Sequence, residues 1–197
     1  MPEQYIHLYE TLPLAAAGIA MGLALILLHL PLLLKAEASA ALLNRLHKAD
    51  NAAQALLAFD FLWFALLLYK ADGNPLCMDL FEFEPMRGTI LLLCPVAWFV
   101  MATMVKENLF ARALGLFLLM LAIVPLTAAF LKEPATRLLI PIWWYPVLTI
   151  AMFWVAKPYL FRDWVARFTA KLCRVRALGA FGVAYGLAVL ACAILFW

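Results

Sequence analysis

The chain has 197 residues, 68% of them hydrophobic and 14% charged, with a mean hydropathy of +0.97. A soluble globular domain is about 45–50% apolar and about 25% charged, so one water-surrounded core is excluded as the home of this much apolar surface. The net charge of +3 gives no ground for nucleic acid as a partner, and lipid is the solvent that suits the composition.

A spanning helix needs about 20 apolar residues, and the chain has room for about six with short connections. The expected fold is therefore all-α: a polytopic membrane helix bundle of about six transmembrane helices, forming one integral-membrane domain over residues 1–197. Residues 1–11 carry Glu3 and Glu10 but no lysine or arginine. A secretory signal has a basic start and a shorter apolar run, so cleavage at the loosely fitting Ala38-Ser39-Ala40 is not expected.

The first span is predicted near 12–34, and a polar helical stretch from Lys35 to Gln54 follows. The second span, near 55–69, is short and needs to borrow helix from that stretch. Residues 70–88 read as a loop, with a turn signal at Asp72-Gly73-Asn74-Pro75. The third span is placed near 89–105 and the fourth near 109–131, the latter ended by Lys132-Glu133-Pro134. The fifth, near 138–156, carries Trp143, Trp144, Tyr145 and Trp154 between or beside Pro141 and Pro146. The sixth is placed near 177–197.

Loop charge orients this arrangement. The stretches 35–54, 106–112 and 157–176 hold eleven lysines and arginines, against four at the other ends of the spans. Basic loops favour the cytoplasm, so both termini are expected on the non-cytoplasmic side of a bacterial inner membrane. Residues 157–176 read as a basic amphipathic helix lying on the cytoplasmic surface. Its apolar face is Trp164, Phe168, Leu172 and Val175, Asp163 is set to pair with Arg167, and anionic lipid is its expected partner.

Two GxxxG motifs mark close packing: Gly18 and Gly22 in the first span, Gly182 and Gly186 in the last. They suit either contact within one protomer or a face for a partner protein or a second copy. Arg-Ala-Leu-Gly occurs twice, at 112–115 and 176–179, each copy opening a span from the same side.

Ionisable residues inside a span cost about 2.5–3.5 kcal/mol on insertion scales and ask for an explanation. His29 and Asp60 are the two that stand out, and equal depth near the cytoplasmic boundary would let them pair. Lys106, Glu107, Arg112, Arg162 and Asp163 form a second group, expected as a polar cytoplasmic rim. Haem is not expected, since a second histidine at the depth of His29 is missing. The four cysteines show no CxxC and no zinc spacing, so neither a metal nor another cofactor is expected. Phosphate-loop, nucleophile-elbow, zincin and dinucleotide motifs are missing as well, and no catalytic residue is assigned. Small size, short loops and GxxxG faces fit a non-catalytic accessory, assembly or scaffold subunit of a membrane complex. A small transporter or proton/ion-coupled carrier using His29 and Asp60 is the alternative. An enzyme acting on lipid head groups at the cytoplasmic interface is the third.

Overall fold

The computed structural model describes residues 7–46, 48–70, 74–105 and 108–197. It is an all-α bundle. Among the described residues, six helical segments are long and apolar enough to cross a membrane. These are carried by α1 (Leu14–Leu34), α3 (Asp50–Leu68), α4 (Arg87–Met104), α5 (Leu109–Ala129), α6 (Leu139–Ala156) and α8 (Leu172–Leu195). Two short helices, α2 (Ala36–Leu46) and α7 (Tyr159–Thr169), lie together at one end of the bundle. The first and last described residues, His7 and Trp197, lie at the other end, where His7 bonds the Leu76 carbonyl and the Trp197 ring rests on Gly18. The six long segments make this an integral membrane protein.

The α1–α8 seam is the most intimate contact. The helices run antiparallel, and glycine lets the backbones touch. A Cβ on Gly22 would lie 2.9 Å from the Gly186 carbonyl oxygen, and one on Gly186 would lie 3.0 Å from the Gly22 carbonyl oxygen. Gly179 continues the stripe against the backbone of Leu32 and Leu33. Of the two roles open to the GxxxG motifs, packing within the chain is the one observed. These glycine faces are covered by the protein's own helices, so a partner would need another surface.

This pair packs against α5 and α6 around Leu14, Met21, Leu25, Ala122, Ala129, Ile140, Trp144 and Val189. Gly115 of α5 lies against Ala151 and Val155 of α6. The two Arg-Ala-Leu-Gly copies therefore share a physical role, each placing a glycine where a neighbouring helix comes close. Beyond α5 stand α3 and then α4, which packs chiefly on α3 and turns Leu92, Leu93, Val96 and Phe99 outward.

Several expected boundaries move. The second span does borrow helix from the preceding stretch: α3 begins at Asp50, five residues before the expected start. Its first turn is stabilised by Asp50 at the positive end of the helix dipole, and by Ala53 packing with Leu109. The stretch 157–176 is not one surface helix. It breaks at Ala170–Lys171, so Leu172, Arg174 and Val175 belong to α8. Within α7 the buried residues are Phe161 and Val165, packed on Ala111, while Trp164 is 39% exposed. The α7 face is thus rotated from the expected one. Pro141 sits in the first turn of α6, where proline removes no helical hydrogen bond. The helix continues through Pro146 to Ala156.

Candidate functional site

On α3, Ala53, Leu57 and Asp60 recur at helical spacing and form one buried stripe. Ala53 and Leu57 pack with Leu109 and Ala113, so this stripe faces α5. Asp60 is 2% exposed, and neither carboxyl oxygen has a hydrogen-bond partner. It stands ten residues after the start of α3 and eight before its end, about 12–15 Å from either.

The expected pairing with His29 is not formed. Histidine 29 lies five residues before the end of α1, about 7–8 Å in. Its Nδ1 is 2.9 Å from the Leu25 carbonyl oxygen one turn back. Its ring is pressed against Gly182 of α8, in edge contact with Trp143 at a centroid distance of 5.8 Å. His29 therefore belongs to the α1–α6–α8 side and Asp60 to the α3–α5 side. Equal depth follows only from a span start at residue 55, and the extra turn of α3 places Asp60 near the middle of that helix.

Lys106 and Glu107 lie outside the described residues. Asp163 pairs with its neighbour Arg162 at 3.3 Å, both half exposed, and not with Arg167. Arg112 is on α5, the helix that packs against Asp60, and its Nε is buried without an acceptor. The helices α3 and α5 run parallel: Leu57 packs with Ala113, and both Phe59 and Trp63 approach Phe117 at 6.1 Å between ring centroids. Arg112 thus lies about one turn nearer the α2–α7 end than Asp60.

The strongest polar site was not foreseen. Arg87, in the stretch read as loop, is 8% exposed at the first turn of α4. Its Nε donates to Glu84 Oε1 at 3.1 Å and its Nη2 to Glu84 Oε2 at 2.6 Å. Nη1 donates to the Leu68 carbonyl at 2.8 Å and contacts Cys77 Sγ at 3.1 Å, while Nη2 also donates to the Met78 carbonyl at 2.6 Å. One guanidinium thereby binds the end of α3, the following loop and the start of α4. The three-residue spacing of Glu84 and Arg87 was a legible signal for the pair. The carbonyl partners were not, because they arise only once the loop folds back over α3. Nearby, His7 donates from Nε2 to the Leu76 carbonyl at 2.8 Å and accepts at Nδ1 from the Tyr9 N–H at 3.2 Å. Both ring nitrogens are thus engaged.

Among the described residues, no three histidine, cysteine or acidic side chains gather as metal ligands. Two concavities stand out. One, of about 160 Å³, opens beside His7, Glu10, Cys77 and Asp79 at the terminal end. The other, of about 220 Å³, is a furrow on α3 lined by Phe59, Leu62, Trp63 and Leu66. Comparison with protein families, with curated proteins and with solved structures finds no match to this chain.

Proposed function

We propose that this chain is a non-catalytic accessory, assembly or scaffold subunit of a membrane complex. The observation that carries the proposal is the α3 furrow. Phe59, Leu62, Trp63 and Leu66 are spaced i, i+3, i+4 and i+7, the stripe on which a second helix packs. Phe59, Leu62 and Leu66 are 50%, 61% and 42% exposed, although the opposite stripe of the same helix is buried. A concave aromatic surface within a bilayer accepts a partner's side chains by close packing, the force that joins membrane helices. Photo-crosslinking from Leu62 in native membranes tests this. One discrete protein adduct is expected, and it should be missing when the probe is at lipid-facing Leu187 or Ile194. Lipid adducts alone at Leu62 would refute the subunit role.

In this proposal the α2–α7 end faces the cytoplasm of a bacterial cell, with both termini on the other side. Exposed Arg162, Arg167, Lys171 and Arg174 then lie against the inner leaflet and attract anionic lipid.

A second role is favoured by one observation. Asp60 is a buried acid without a partner, and such groups mark proton and ion pathways in membrane proteins. A small proton/ion-coupled carrier is the corresponding alternative.

A further inference from the structure

We propose that Asp60 is an exchangeable proton-binding site at the middle of the membrane. This deepens the carrier alternative and is independent of the subunit proposal.

Buried polar groups are hydrogen-bonded in the great majority of cases. Arg87 obeys the rule, with an acceptor for each of its three nitrogens. Asp60 breaks it with both oxygens while 98% hidden, so packing has closed over the carboxyl without supplying a donor. A bare carboxylate there carries the full desolvation penalty of a charge in an apolar medium.

Two kinds of ligand remove that penalty: a cation or a proton. A bound calcium or magnesium ion requires about six or more oxygen ligands. The residues on and facing the Asp60 stripe, Ala53, Leu57, Leu109 and Ala113, offer apolar side chains only. Helix carbonyls are committed to their own ladders. A proton needs no further ligand and turns the carboxylate into a neutral acid.

The helices packed most closely on α3 are α4 and α5. Their ionisable side chains among the described residues are Arg87, at the far end and fully engaged with Glu84, the buried thiol of Cys94, and Arg112. Arg112 is the cation of this set with a buried nitrogen lacking an acceptor. On release the O–H bond of the acid breaks, the electron pair stays on the carboxylate, and the proton passes to water. Arg112 keeps its own proton.

Infrared spectroscopy of the full chain in lipid nanodiscs, with carbon-13 in the aspartate carboxyls, tests this directly. The expected result at neutral pH is a protonated-carboxyl band that moves with the isotope and shifts again in heavy water. Asp60→Asn should abolish it. Asp60→Glu, which moves the acid into an unlabelled residue, should keep a band but remove its isotope shift, giving an assignment even if the asparagine variant fails to fold. Three results would overturn the proposal: no protonated aspartate, a band unmoved by heavy water, or a band lost on adding sodium or potassium at constant pH. The first means an ionised group, the second a sealed structural acid, the third a cation site. Ion flux in proteoliposomes is a separate measurement. An exchanging Asp60 without flux leaves the site standing and removes only the carrier.

Discussion

At the scale of single residues, Asp60 and Arg87 represent opposite solutions to one problem. Each is almost wholly withheld from solvent, at 2% and 8% exposure. Arg87 meets the penalty with a bidentate carboxylate and two main-chain carbonyls. Asp60 meets it with nothing in the protein. The Arg87 network depends on the planar fork of guanidinium, which a lysine ammonium does not reproduce. Arg87→Lys should therefore lower stability by about 2 kcal/mol or more, since charged hydrogen bonds contribute about 1.5–3 kcal/mol each. Unfolding in mild detergent measures this, and an unchanged midpoint would show that Arg87 does not hold the loop to the helices. The oddity of Asp60 was legible from its apolar surroundings, Ala58, Phe59, Phe61 and Leu62. Its isolation was not, because a partner on another helix depends on depth and on helix rotation.

At the scale of elements, the α1–α8 seam is held by the absence of side chains. A Cβ on Gly22 or Gly186 would fall a few tenths of an ångström inside ordinary contact distance of the opposing carbonyl oxygen, so a larger residue fits only if the backbones move. Gly22→Leu should push the helices apart and destabilise the fold by about 1–3 kcal/mol, the usual range for overpacking. Leu23→Ala one residue on, at a position 47% exposed, serves as the control and should change little. Thermal unfolding of both variants in the same detergent provides the comparison, and equal effects would mean that the seam tolerates separation. The GxxxG motifs announced a close approach but not the identity of the neighbour, since a glycine face serves a second copy as readily as the same chain. The α7 face escaped for a related reason. The periodicity of Trp164, Phe168, Leu172 and Val175 is real, yet the chain breaks at Ala170–Lys171 and hands the last two residues to α8. Phe161 and Val165 are buried instead because the underside of α7 is the part that reaches Ala111.

At the scale of the whole molecule, the six long apolar segments among the described residues bring His7 and Trp197 to one end, while the α2–α7 end collects most of the basic residues. Cys173 is exposed at that basic end, in the first turn of α8. A membrane-impermeant maleimide should leave Cys173 unlabelled in intact cells and label it after permeabilisation. Labelling of intact cells would invert the proposed orientation. Sequence by itself determined the solvent, the class and the approximate spans, because hydropathy and length are local properties and hydrocarbon leaves the backbone few alternatives to helix. It also singled out His29 and Asp60 as the ionisable residues within the spans that need an explanation. Only tertiary structure decided that α3 extends back to Asp50, that His29 and Asp60 face different helices, that the glycine faces meet each other, and that Arg87 anchors the terminal end. Each of those outcomes turns on the rotation and register of one helix against another. They are selected by packing between residues far apart in the chain, which the periodicity of a single segment does not contain.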